Sequence, residues 1–401
     1  MSMPPAVQAV VPRARLLPLY AAGFVTAFGA HSIAASLGGY TRSEHSSLLT
    51  LGLLLAVYDG AEVLLKPAFG TLADRIGPRP VLLGGLIAFA VASAAFVLAG
   101  NPALVGFARF GQGAAAAAFS PAAGAMVARL TRSGGLGRAF GGYGAWKGLG
   151  YTLGPLLGGA AITMGGYNLL FAVLAVLAVV VAGWAAIAVP TVPALPRPRQ
   201  TVLDLARRLG SANFLRPTVA LAGATAALAV GIGFLPVIGA GHGLGPLATG
   251  AAVSLLAATA ALVQPRVGRA RDAGGLRDGA TMATGLVLAG IGIAAATVVP
   301  GIAGMMMAAF VIGAGTGLVT PIGFAYLAAT TAPERLGQTM GAAEIGRELG
   351  DAGGPLLVGA IAVAATLNAG LLTLAALLAL LAVLVAVALT PPDDRKTDAA
   401  E

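Results

Sequence analysis

The chain has 401 residues, of which 58% are hydrophobic and only 10% charged, and it contains no cysteine. A soluble domain carries about 25% charged residues, so this composition excludes a water-soluble globular protein and points to a polytopic membrane protein. The net charge of +9 raises nucleic acid as a partner, but the placement of the charge, described below, argues against it.

Twelve apolar stretches of about 20 residues are each long enough to cross a hydrocarbon core of about 30 Å. They predict helices over 16–38, 46–69, 80–99, 103–128, 139–163, 166–190, 217–239, 246–265, 279–298, 301–328, 338–364 and 368–390. The opening MSMPPAVQAVVPRAR lacks the cleavage pattern of a signal peptide, so the first stretch is expected to be retained as a helix. Only Lys66, Arg109, Lys147 and Arg347 fall inside predicted helices, and Arg42 falls in an outer loop. The other basic residues lie at the two ends or in alternate loops, while the loops near 99–102, 164–168, 299–301 and 365–368 have none. That asymmetry places both termini in the cytoplasm and turns the basic excess toward anionic lipid, not nucleic acid. Arg far outnumbers Lys and Ala is abundant, as in a GC-rich bacterial genome, so a bacterial plasma (inner) membrane is expected.

The polar, proline-rich segment 191–216 divides the chain into a six-helix half over 1–190, a cytoplasmic linker, a second six-helix half over 217–390 and a tail over 391–401. Within the linker, TVLDLARRLG has the pattern of a short amphipathic helix on the membrane surface. The halves repeat each other. Pro67, Gly70, Asp74, Gly77 and Arg79 match Pro265, Gly268, Asp272, Gly275 and Arg277 at an offset of 198. Phe110, Gly113, Pro121 and Lys147 match Phe310, Gly313, Pro321 and Arg347 at an offset of 200. Six helices per unit return each half to the same side, so the repeat is parallel, about an axis along the membrane normal. A glycine pattern recurs with it: Gly141, Gly150, Gly154-Pro155 and Gly158-Gly159 in the first half, Gly341, Gly350, Gly354-Pro355 and Gly359 in the second.

These motifs resemble those of the major facilitator superfamily over essentially the whole chain. GTLADRIGPR at 70–79 looks like its signature loop between helices 2 and 3. LVGFARFGQGAAA at 104–116, with Arg109 and Gln112, looks like its helix 4 motif, and the pattern from Gly141 to Gly159 is similar to the helix 5 motif of its drug/proton antiporters. Pro78 departs from the loop pattern, and helix 1 lacks the acid that many such antiporters carry there. The resemblance implies an all-α membrane fold of twelve helices in two pseudo-symmetric halves. It also implies proton-coupled export of small amphipathic or hydrophobic compounds, as in drug resistance or metabolite efflux. A lipid or glycolipid flippase and a proton-coupled uptake symporter are the alternatives within transport; a non-transporting sensor or scaffold is the alternative outside it. The expected partners are the substrate, protons and the bilayer, with the chain acting as a monomer. Neither a cofactor nor a metal is expected, nor an enzymatic activity; there is no GxxxxGK[ST] loop to couple directly to ATP.

The motifs also suggest roles. In the loop, Gly70 and Gly77 permit a tight turn and close approach. Asp74 can sit at the positive N-terminal end of a neighbouring helix; the resemblance implies that this is helix 11, near Gly337 and Gln338, in a latch for the outward-open state. Arg75 and Arg79 are expected to pair with Asp74 or with lipid phosphate. In helix 5, Gly150, Gly154 and Gly158 form a smooth stripe and Pro155 permits a kink, giving a close-packed hinge between the halves or ordinary membrane packing. The resemblance brings helices 2 and 11 together, and charge inside a membrane is expensive unless paired. Asp59, Glu62 and Lys66 share one face of helix 2, facing Glu344, Arg347, Glu348 and Asp351 on helix 11. Counting depth along the helices predicts the ion pairs Lys66–Glu344 and Glu62–Arg347. Asp59, Glu348 and Asp351 then remain as an acidic cluster suited to reversible protonation, with Asp59 the first candidate for proton carrier and Asp351 the second. Static salt bridges are the competing account. Arg109 is expected to tune a nearby acid, to pair statically or to contact an anionic substrate, and Lys147 to face the other half or the cavity. Phe24, Phe28, His31, Gln112 and Phe234 are candidate cavity residues. Met305, Met306 and Met307 read as an adaptable patch or as plain packing.

Overall fold

The computed structural model describes residues 15–43, 48–98, 102–192, 194, 210–244, 246–299 and 301–386. Along 33–43 and 48–56, and at a few other positions including Asp59 and Pro155, it describes the backbone alone. The described residues form long helices with no strand among them. The first four are α1 (Leu17–Ser43), α2 (Leu48–Ile76), α3 (Pro78–Ala95) and α4 (Pro102–Leu130). Helical hydrogen bonding then continues over Leu136–Ala188, but the backbone breaks at Gly165 and Gly166, the latter at φ +69°. Only glycine enters that left-handed region freely, so the two arms are separate spans, α5 (136–164) and α6 (167–188). The second half comprises α7 (Ala212–Gly241), α8 (Pro246–Asp272), α9 (Asp278–Val298), α10 (Gly301–Thr330), α11 (Leu336–Ala364) and α12 (Leu367–Ala386). This is the expected all-α, twelve-helix membrane fold. The amphipathic segment expected in the linker lies outside the described residues.

Helices outrun hydropathy at one end. α2, α4, α8 and α10 continue past their apolar stretches into the motifs that follow, because a helix can project beyond the bilayer wherever its backbone stays hydrogen-bonded. Gly70 is therefore a helical residue, not a turn residue. The turn is made by Gly77, at φ +95°, where α2 gives way to α3 and Pro78 opens the new helix. Seven helices among the described residues are long and apolar enough to span a membrane. α2 and α11, each with several charged residues along the middle, are not among them.

Packing confirms the register of the repeat. A Cβ on Gly113 would strike the Tyr58 carbonyl, and one on Gly313 would strike the Leu256 carbonyl, the matching position of α8. Gly141 lies on the backbone of Gln264, as Gly341 lies on that of Lys66. Between the halves, α2 therefore packs on α11 and α5 on α8, and rings of Phe140 and Phe324 stack at 5.8 Å across the same boundary.

The glycines of α5 divide between two jobs. Gly141 faces α8 of the other half, but Gly150, Gly154 and Gly158 face α1 within their own half. A Cβ there would stand 2.7 Å from Phe24 O, 3.1 Å from Phe28 O and 2.6 Å from Ser32 Cβ respectively. The stripe therefore welds α1 to α5 inside one half, not the two halves to each other as the hinge reading had it. Gly159 has nothing within 4 Å. α5 passes Pro155 with helical φ/ψ, its only interior break being at Gly165–Gly166. In α11, Gly350 and Gly354 meet α7 in the same way, at Ala222 and Ala226.

Candidate functional site

Two carboxylates clamp the ends of helices from the opposite half. Asp74, 2% exposed at the end of α2, accepts hydrogen bonds from Gly337 N at 2.8 Å and Gln338 N at 2.9 Å. These N–H groups begin α11 and have no partner within the helix, and the macrodipole adds a positive end for the carboxylate. Gly70 and Gly337 allow the approach, each α-carbon lying against the other's carbonyl. Asp272, the repeat counterpart of Asp74, does the same at α5, accepting from Gly137 N and Arg138 N at 2.8 Å each. Asp272 is not among the expected site residues, although the repeat aligns it with Asp74. Arg75 is exposed, and Arg79 reaches Thr191 Oγ1 at 3.0 Å and Ala186 O at 2.6 Å near the end of α6, not Asp74. A cation the reading did not single out, Arg129 at the end of α4, donates to Pro333 O just before α11.

Between the halves, deep in the helices, lies a connected set of charges. The Lys66 side chain is fully buried, with Nζ 2.6 Å from Glu62, 2.8 Å from Glu348 and 3.8 Å from Glu344. Glu344 also takes Lys147 of α5 at 3.2 Å and Arg347 at 3.3 Å. Three cations and three carboxylates thus meet across the α2–α11 and α5–α11 contacts. The pairing differs from the depth count. Lys66 does approach Glu344, but Glu62 turns to Lys66 one helical turn away, and Arg347 turns back to Glu344. Depth gives the level of a side chain and not its azimuth, so partners at i+3 and i+4 on the same helix win. Asp59 sits on the same helix one turn before Glu62, with its side chain outside the described residues, and Asp351 is exposed.

Arg109 is buried in the first half, its guanidinium 4.4 Å from the Tyr58 ring centroid, a cation–π distance. It donates to Gln112 Oε1 at 3.5 Å, and Gln112 donates to Ser93 Oγ at 2.8 Å.

A cleft of about 680 Å³, open solvent included, runs beside this network between α5, α7, α8, α10 and α11. Its apolar wall includes Phe140, Leu228, Ile232 and Phe324, and its polar side holds Lys147, Glu344 and Arg347. The five expected cavity residues lie elsewhere. Phe24 stacks on Phe28 at 5.4 Å, and both pack with Phe96 and Phe171 inside the first half. Gln112 is tied to Ser93, and Phe234 packs on the core of the second half. His31 hydrogen-bonds the Ala27 carbonyl through Nδ1 and sets its ring edge-on to Tyr151 at 4.3 Å, so it touches the cleft only through that tyrosine. Aromatic type on a presumed cavity helix says nothing about which way the ring points.

The fold and these interfaces define a polytopic membrane protein built of two parallel six-helix repeats. Comparison with known proteins agrees. The family model Major Facilitator Superfamily matches residues 19–273 and 218–401. The chain is 29% identical over 164 residues to the multidrug resistance protein MdtG of Erwinia billingiae, covering 40% of each chain. It is 31% identical over 109 residues to the quinolone resistance protein NorA of Staphylococcus aureus, covering 27% of this chain and 28% of that one. The chain spans less than half the length of the curated relatives it matches. The crystal structure of the human organic anion transporter MFSD10 (TETRAN) shares the fold, with a TM-score of 0.75 over 95% of this chain and 100% of that one at 18% identity. The protein belongs to the Major Facilitator Superfamily.

Proposed function

We propose that this protein exports small amphipathic or hydrophobic compounds in exchange for protons, in a bacterial plasma (inner) membrane with both termini cytoplasmic. Its two halves would rock about the central cleft. The observation that carries the reading is the buried charge network joining α2, α5 and α11. Fixed salt bridges add little net stability in a protein interior, whereas charges shared between moving halves can be re-partnered as access alternates. The two aspartate clamps join the halves at the basic-loop end, the side closed to the cytoplasm when the transporter faces outward. The multidrug and quinolone resistance relatives support the substrate class, and the helix 5 pattern supports the direction of transport. The proton carrier is drawn from the acids of α2 and α11: Asp59 first, with Glu62, Glu348 and Asp351 behind it and Arg109 as the nearby modulator.

The test is substrate-induced pH change in vesicles reconstituted with wild type, Asp59→Asn or Glu62→Gln. Quinolones should move protons opposite to themselves in wild type, and at least one substitution should abolish this while the protein still folds and binds. Substrate flux indifferent to an imposed pH gradient in wild type would overturn the proposal.

A further inference from the structure

The two seams between the halves occupy matching positions of the repeat, yet their contents are opposite. In the α2–α11 seam stand Glu62, Lys66, Glu344 and Glu348, with Asp59 one turn earlier on α2; at the matching positions of the α8–α5 seam stand Ala260, Gln264, Gly144 and Gly148, with Ala257 for Asp59. The correspondence is physical as well as sequential. Gln264 lies over Gly144 at the same crossing where Lys66 meets Glu344, and Gly141 and Gly341 pack on their backbones alike. All five small or neutral residues line the cleft. With alanine and glycine in place of long charged side chains, α5 and α8 come into close backbone contact and Gln264 covers Gly144, so the space these residues line is the cleft beside the crossing.

The cleft also presents buried polar groups that the protein leaves without a hydrogen bond. Arg347, 7% exposed, gives Nη1 to Glu344 but has the donor Nε unpartnered, whereas the unpartnered atom of Gln264, 7% exposed, is the acceptor Oε1, which offers an anion nothing. A buried donor with no acceptor is costly. The cationic side chains lining the cleft are Lys147 and Arg347, and they share one carboxylate, Glu344. The cleft threonines that could compete as donors are committed: Thr225, Thr316 and Thr320 give their hydroxyl protons to carbonyls of their own helices.

We propose that the α5–α8 seam is the substrate site, and that it takes a compact apolar compound bearing one carboxylate-like anionic group. The anionic group meets Arg347 and Lys147, and the apolar body lies on Gly144, Gly148, Ala257 and Ala260. One seam of the repeat has kept the charges that join the halves, and the other, built of small residues, forms a wall of the cleft that holds cargo. This rests on the reading of the central cleft as the transport cavity, but not on proton coupling.

Binding is measured on detergent-solubilised protein at one pH without a gradient, so a failure of proton coupling leaves it untouched. The probes are 1-naphthoate, 1-naphthamide and 1-naphthylmethylammonium, alike in body and different in head group. Naphthoate should bind about tenfold or more tighter than the ammonium, with the amide between them. Ala260→Leu, which fills part of the cleft, should weaken naphthoate about tenfold while leaving the melting temperature of the free protein within a few degrees. If Ala260→Leu does not fold, Ala257→Leu serves in its place, with the same direction of effect. Equal affinity for the three head groups, tightest binding of the ammonium, no binding of any probe, or naphthoate binding indifferent to the folded seam variant each overturns the proposal. Naphthoate that binds as expected but is not driven by a pH gradient would overturn the exchange mechanism alone.

Discussion

Lys147 of α5 and Glu344 of α11 stand 3.2 Å apart, both buried, each contributed by a different half of the molecule. Glu344 is also the shared carboxylate of Arg347 and Lys66. Removing its charge leaves cations facing one another in a medium that screens poorly, and unpairing a buried ion costs about 3–5 kcal/mol. Glu344→Gln should therefore lower the melting temperature markedly. Lys147→Met in the same chain should recover part of the loss, since one fewer cation is stranded. Thermal unfolding of the two single variants and the double variant gives the coupling energy. Strict additivity would show that the pair contributes nothing across the boundary.

The paired clamps make a prediction about access. Asp74 and Asp272 each accept two backbone hydrogen bonds from a helix of the opposite half. Hydrogen bonds to a charged group are worth about 1.5–3 kcal/mol, so losing one clamp shifts the balance between open states about tenfold or more. The chain has no cysteine, so a single cysteine at Thr225 in the cleft reports access without background. Asp74→Asn and Asp272→Asn should each speed its labelling by an impermeant maleimide from the basic-loop side, and the double variant should exceed both. Labelling unchanged in the double variant would remove the clamps from the gating scheme.

The α5 glycines should prove structural. Gly154 presses on Phe28 and Ser32 of its own half, so Gly154→Leu overpacks the α1–α5 contact and should destabilise by about 1–3 kcal/mol or more. Its signature is lower folded yield and melting temperature, without a proton leak in reconstituted vesicles. Gly159→Ala, with open space around it, should be silent in both assays. A leak in folded Gly154→Leu would return the stripe to a sealing role between the halves.

Much of the fold was legible because hydropathy and a 200-residue repeat are strong signals in a chain of this composition. Asp74 at the start of α11 was legible only through the family resemblance, which supplied the neighbouring helix; the chemistry supplied a carboxylate suited to some helix N-terminus. Azimuth was not legible. Glu62 went to Lys66 and not Arg347, Gly154 faced α1 and not the second half, and Phe24 turned into its own half's core. Nothing in the one-dimensional pattern says which side of a membrane helix faces which neighbour when nearly every side is apolar. The missed signals were comparative. Asp272 and Gln264 stand at the repeat positions of Asp74 and Lys66, and reading each role onto its mate would have found the second clamp and the uncharged seam.

The arrangement around Lys66 separates its neighbours by function. Glu62 at 2.6 Å and Glu348 at 2.8 Å both hold one buried ammonium, with Glu344 at 3.8 Å. Neutralising one of these acids leaves Lys66 paired, whereas neutralising Lys66 leaves carboxylates crowded together without their cation. Glu62→Gln should accordingly keep the fold, with a melting temperature reduced by no more than a few degrees, a change of about 1 kcal/mol or less. Lys66→Met should be far more damaging, in the range of about 3–5 kcal/mol for a broken buried pair, and adding Glu62→Gln to it should restore part of the stability. In transport, Glu62→Gln should still exchange labelled for unlabelled substrate but respond less to an imposed pH gradient, because a carboxylate that can be lost without unpairing its lysine is free to take up a proton. If Glu62→Gln proves as destabilising as Lys66→Met, the carboxylates are all required at once, and none of those around Lys66 can serve as the one that cycles.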